Sequence, residues 1–132
     1  MTAPRVTVTS FGYGHGDPPP AALTVDLRAA YRDPHFDPAL RELTAADPRV
    51  RAAVLATPGI PALVSALAAA ARDYLAAGLP VSLAVGCAGG RHRAPAVAVE
   101  VAAVLAVGGA DVSLEHRDIG APVIRRVTGA AA

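Results

Sequence analysis

A chain of 132 residues that is 53% hydrophobic and only 17% charged is a single globular domain with a real core, and disorder is excluded as its main state. Its formal net charge of +1 leaves little surplus for a non-specific grip on nucleic acid, which depends on many phosphate contacts. All twelve basic residues are Arg, so a nucleotide hydrolase with a G-x-x-x-x-G-K-[ST] phosphate loop is excluded for want of its lysine.

In chain order, "RVTVTSF" alternates as a strand and closes at Gly12, Gly14 and Gly16. "DPPPAA" forbids regular structure until a short second strand, "LTVDLR". The stretch from Ala29 to Pro48 is rich in turn signals, with one helical turn after Pro38. Asp47 and Pro48 read as an N-cap followed by proline at the first helical position, opening a helix to about Ala56. Pro61 starts the next helix, whose apolar residues from Ile60 to Leu75 fall on one face and which Gly78 ends. "PVSLAVGC" is a continuous apolar run, the mark of a strand covered on both faces. A helix from Pro95 to Gly108 and a last strand, "DVSLEHRD", complete a crossover unit, with one short helical turn in the tail. These elements predict an α/β fold, a three-layer sandwich around a small, mostly parallel four-stranded sheet flanked by helices. Residues 1–132 form one domain.

Ligands of such sheets sit at the carboxyl ends of the strands, where "GYGHG", "DLR" and "GCAGGRHR" place polar clusters. Ala94 precedes a proline and is disfavoured in the α conformation, so the helix is expected to begin at Pro95, leaving Cys87 to Arg93 as loop. A strand feeding a glycine loop at a helix N-terminus is an anion site, because unpaired amides and the positive end of the helix dipole face one spot. Gly89 and Gly90 let the backbone approach a ligand, and Arg93 could fork onto two phosphate oxygens. The plainer alternative is a chain turn with its arginines in solvent. Cys87 and Arg93 also have the C-x5-R spacing of cysteine-dependent phosphatases, but Gly86 and Ala94 stand where that chemistry uses His and Ser or Thr. Cys87 as a small buried hydrophobe is the simpler account.

Together these residues resemble the RapZ C-terminal domain, part of the RNase adapter protein family, along nearly the whole chain. "SFGYGHG" is similar to the family's opening strand and turn, and "VDLRAAYRDPHFDPALRELTAAD" to its long motif, with one extra residue between Arg28 and His35. "AVGCAGGRHRAPAVAVE" is similar to the family's G-C-T-G-G-x-H-R signature, with Ala88 in place of threonine, and "VSLEHRD" to its closing strand. The resemblance implies a regulatory module, not a catalyst. In characterised members this domain binds small regulatory RNA and senses glucosamine 6-phosphate, and a lysine-containing nucleotide-binding domain precedes it. Carried over, Gly89, Gly90, Arg91, His92 and Arg93 are expected at the phosphate. Arg28 and Arg41 complete the positive wall, and Asp26 and His35 meet sugar hydroxyls or an amine. Asp26 paired with Arg28 for folding alone, Arg41 as an exposed turn residue and His35 capping its own loop are the structural alternatives. Arg32, His116 and Arg117 are the residues expected on an RNA face.

Other motifs are set aside. "GYGHG" lacks the following helix of a dinucleotide loop, and His116-Arg117-Asp118 lacks the lysine and asparagine partners of a kinase loop. Four scattered histidines show no metal-ligand spacing, and no cofactor is expected. One cysteine permits no internal disulfide, the N-terminus lacks a secretion signal, and Pro95 to Val107 is short of the ~20 residues that cross a bilayer. A cytoplasmic chain without membrane contact is expected. The same apolar helix is either core or a subunit contact, which leaves homo-oligomerisation open. The expected partner is a phosphorylated small molecule. The alternatives are an adapter for small RNA or a ribonuclease, and a phosphatase using Cys87 and Arg93.

Overall fold

A computed structural model of the chain describes residues 5–29 and 38–122. Strand β1 (Arg5–Gly12) runs into a 3-10 turn at Tyr13–His15, and β2 (Leu23–Asp26) follows. Helix α1 (Pro48–Leu55) is capped by Asp47, whose carboxylate accepts the Arg49 amide, with proline in the first turn as the sequence predicts. Then come α2 (Ile60–Ala76), β3 (Val81–Cys87), α3 (Arg93–Val107) and β4 (Asp111–His116). The sheet is four-stranded and parallel throughout, in the order β2-β3-β1-β4. After Pro38 there are turns and no helix, and the tail beyond 122 lies outside the described residues.

The strand order decides which face each connection covers. The connections from β2 to β3 and from β3 over β1 to β4 move in the same direction, so right-handed crossovers put their helices on one face. Accordingly α3 packs on β1, β3 and β4, α2 packs on β3, and the three helices touch one another. That face holds the core: Val6, Val8, Leu83 and Val85 lie against Ile60, Val64, Val97, Val101 and Leu105. Most of α3 is buried, which makes it chiefly core, while Ala103, Ala106 and Val107 near its end are exposed.

The first crossover, from β1 to β2, runs the opposite way and belongs on the other face. Three prolines forbid a helix there, so the third layer is a strap, residues 13–22, fastened by the Ala22 amide on the backbone and side chain of Ser82. Phe11 and Ala84 are fully buried yet stand outside the helix-side core, which places them beneath this layer. The chain is thus an α/β sandwich with helices on one face of a parallel sheet and a proline-rich strap on the other.

Candidate functional site

The parallel register brings all four carboxyl ends to one rim. Gly12 is level with Cys87, Ser10 with His116, and Asp26 with Gly86. Directly above lie residues 88–92 and the first turn of α3. The helix begins at Arg93, two residues before the expected Pro95, so the expected loop Cys87–Arg93 is shorter at both ends. The bias of Ala94 away from the helix is overcome because its position is fully buried at the helix start, and Pro95 lacks only an N–H that no first turn can pair.

The loop is pressed against the end of β1. A Cβ on Gly12 would stand 2.5 Å from the Gly89 carbonyl carbon, and one on Gly90 would stand 2.7 Å from the Gly12 nitrogen. Gly90 also needs its φ of +74°, whereas Gly89 has no such backbone and a Cβ there would meet no atom within 4 Å. The two glycines therefore have different duties: Gly90 packs against protein, and Gly89 faces open space. Among the described residues, no carbonyl accepts from the amides of Gly89 and Arg91.

The side chains of Arg91, His92 and Arg93 point in three directions, each to backbone carbonyls. Arg91 donates to Ala121 O at 2.8 Å and Glu42 O at 3.0 Å. His92, nearly buried, places Nε2 2.8 Å from Leu43 O, which requires that nitrogen to carry the proton. Arg93 is only 3% exposed and donates to Leu27 O at 2.6 Å and Arg28 O at 3.2 Å. Instead of reaching over the rim, its guanidinium ties α3 to the end of β2. Cys87 is also buried, and its Sγ accepts from the amides of Gly90 at 3.3 Å and Ala94 at 3.4 Å. Thiol and guanidinium are both turned into the protein, so they do not form the exposed nucleophile and anion fork that the C-x5-R chemistry requires.

The next wall of the rim is a stack. Gly86 has no side chain, and the Phe11 and Tyr13 rings, 4.8 Å apart, occupy the space; a Cβ there would lie 2.4 Å from the Phe11 ring. Arg28 lies 3.6 Å over the Tyr13 ring and grips Asp26 through Nε at 3.0 Å and a second nitrogen at 2.8 Å. These hydrogen bonds hold the Asp26 carboxyl below its ordinary range, with the charge of Arg93 adding to the effect. Burial, helped by the charge of Asp26, pushes the Tyr13 hydroxyl up. Half of the Arg28 side chain stays exposed, so its outer edge can meet a ligand.

At the end of β4, His116 Nδ1 and the buried Ser10 Oγ share a hydrogen bond of 2.7 Å, and burial pushes the imidazole pKa down. Arg117, expected on an RNA face, instead braces the strap: it donates to Asp118 and to the carbonyls of Gly12, Gly16 and Asp17. Arg41 is half-buried in the turn segment whose carbonyls hold Arg91 and His92. His35 and Arg32 lie outside the described residues. The roles of Gly12, Tyr13 and Asp118 were not foreseen. Their signal was the parallel register, which seats "GYGHG" and "HRD" beside the "CAGGRHR" loop. Among the described residues, no three His, Cys, Asp or Glu side chains converge to hold a metal ion. No single described helix is long and apolar enough to cross a membrane, and α1 and α2, which pass that test only together, meet at 90°.

Residues 4–120 match the model of the RapZ C-terminal domain. The chain is 43% identical over 121 residues to a protein of Frankia casuarinae named a nucleotide-binding protein, covering 88% of this chain and 42% of that one. Similarly named proteins of Thermobifida fusca and Streptomyces avermitilis are 40% and 39% identical over 122 residues each, again across 88% of this chain. The chain spans about 42% of the length of the first of these relatives. With the rim motifs and nearly the whole chain matched, it belongs to the RapZ C-terminal domain family.

Proposed function

We propose that the chain is a non-catalytic regulatory module that holds a phosphorylated small molecule, an amino-sugar phosphate by chemical class, on the 88–92 loop. The observation that carries this reading is Gly89. It is half-exposed in the loop that leads from β3 to a 15-residue helix beginning four residues later, beside loop amides with no carbonyl acceptor among the described residues, and with room above it. A dianion there is attracted by the helix dipole and accepts amide hydrogen bonds; bonds to charged groups are worth about 1.5–3 kcal/mol each. The outer edge of Arg28 supplies a fixed guanidinium, and Asp26 supplies a carboxylate for an amine or hydroxyl. Ala88, where the family has threonine, contributes no hydroxyl to the anion.

Isothermal titration with glucosamine 6-phosphate, glucosamine and inorganic phosphate tests the reading. Both phosphates bind, and glucosamine, which lacks the phosphate, does not. Gly89→Ala, which adds a methyl group where no protein atom lies within 4 Å, weakens binding at least tenfold with no loss of thermal stability. Unchanged affinity in Gly89→Ala overturns this site. RNA affinity that falls steeply with salt and is indifferent to phosphate would instead support the adapter reading. Turnover of an aryl phosphate that vanishes in Cys87→Ser would instead support the phosphatase.

A further inference from the structure

The tripeptide His116-Arg117-Asp118 closes β4, and the binding reading above gives its acid no task. Asp118 is 8% exposed. Its Oδ2 accepts the Gly12 amide at 2.8 Å and two nitrogens of Arg117 at 3.0 and 2.9 Å. On its other side it meets the loop, since a Cβ on Gly90 would lie 2.9 Å from the Asp118 Cβ. Gly14 reaches across the same junction, its amide 3.0 Å from Ala88 O. Asp118 thus lies where the end of β1, the 88–92 loop and the end of β4 touch. Arg117 extends the brace to the carbonyls of Gly12, Gly16 and Asp17. Burial pushes the Asp118 carboxyl up, but hydrogen bonds from Arg117 and Gly12, with the charges of Arg117 and His15, outweigh it and leave the carboxyl below its ordinary value. At neutral pH the group is a carboxylate.

We propose that Asp118 is a positioning residue, whose carboxylate, shared between the Gly12 amide and Arg117, sets the spacing between the 12–15 turn and the loop amides that receive phosphate. This rests on the binding reading above. The chemistry favours an anion at this position, where a guanidinium and an amide converge on one oxygen. Gly12 N–H and Arg117 are both donors, and only a carboxylate offers acceptors to both without a hydrogen of its own. Because all three contacts fall on Oδ2, an asparagine could place its amide oxygen there, but a neutral acceptor holds these donors about half as strongly and leaves the Arg117 charge unpaired. Arg117 offsets the negative charge of Asp118 beside the loop while Oδ2 holds the Gly12 amide.

Inorganic phosphate, titrated calorimetrically and by amide NMR well below the melting temperature, provides the test. Asp118→Asn is expected to shift the Gly12, Ala88 and Gly89 resonances before any phosphate is added and to leave those of α2 in place. Its affinity falls tenfold or more. Arg117→Gln/Asp118→Asn, which leaves no charge unpaired, shows the same loss and serves if the single variant fails to fold. Wild-type affinity in a folded variant overturns the positioning role and leaves the binding site standing. A wild-type chain that binds no phosphate overturns the binding reading and this inference with it.

Discussion

Gly89 and Gly90 are neighbours in sequence and should respond oppositely to the same methyl group. In Gly90→Ala the new Cβ would lie 2.7 Å from the Gly12 nitrogen, 2.9 Å from the Asp118 Cβ and 3.0 Å from the Phe11 carbonyl carbon. Two of these atoms are backbone in β1, a strand paired on both sides, so they cannot move aside cheaply. Holding alanine at φ +74° adds about 1–2 kcal/mol, and overpacking of this kind costs about 1–3 kcal/mol more. The sum is roughly 2–5 kcal/mol. At about 2.1 cal/mol/K of unfolding entropy per residue, a mid-range loss of ~3 kcal/mol lowers the melting temperature by about 10 °C. Gly89→Ala meets no atom and no positive φ, and it restricts the unfolded chain, so its expected effect lies between zero and a gain of about 1 kcal/mol. With no Trp in the chain, urea denaturation followed by far-ultraviolet circular dichroism reads both variants against wild type. Equal midpoints for the two variants, or a Gly90→Ala loss under about 0.5 kcal/mol, would refute the assigned packing.

Arg93→Met keeps much of the stem but leaves the carbonyls of Leu27 and Arg28 without their donor, so it should destabilise by about 2 kcal/mol or more in the same denaturation assay. Arg93→Lys should recover only part of this, because its shorter, flexible stem does not hold an ammonium at the place where Nη1 meets both carbonyls. Burial lowers the His116 pKa, so between its folded and unfolded values the unfolded chain binds more protons, and stability rises with pH. The chain should therefore lose stability as pH falls through 6.5 toward the lowered folded value, and His116→Asn should remove that component of the urea-midpoint profile. Cys87 should resist a thiol reagent in native buffer and react fully in denaturant, because its sulfur is buried beneath the Gly90 and Ala94 amides. Rapid labelling of the native chain would contradict that burial.

Local patterns made most elements legible. The alternation of "RVTVTSF", the Asp47-Pro48 cap and the apolar run of β3 each reflect forces within a few residues, and each appears where expected. The start of α3 was less legible, because the local bias of Ala94 competes with burial supplied by distant strands. The directions of Arg91, His92 and Arg93 could not be read at all. Arg91 and His92 belong to the loop and Arg93 opens the helix, and their acceptors come from distant segments: from Glu42 and Ala121, from Leu43, and from Leu27. Likewise "GYGHG" and "CAGG" each read as a loop, but their contact depends on β1 lying next to β3, which is a property of sheet order.

The inward turn of those cations changes how an anion site here has to work. Arginine side chains that reached over the rim would lose rotamer freedom on closing around a phosphate, whereas Arg91 and Arg93 are already fixed on carbonyls. Their charge still acts at the rim: Arg93 lowers the Asp26 carboxyl without a hydrogen bond to it among the described residues. On the proposed binding reading, direct contact then falls to amides packed against Gly12, Gly90 and Asp118. Selectivity in such a site comes from the fixed spacing of donors, and affinity depends on keeping that spacing when the pocket is empty. Side-chain truncations at Arg91 or Arg93 should therefore act through loop geometry. In a titration they would appear as lost affinity accompanied by shifted Gly89 and Arg91 amides in the unliganded chain. Affinity lost with those amides unmoved would mean that the guanidinium groups touch the anion directly.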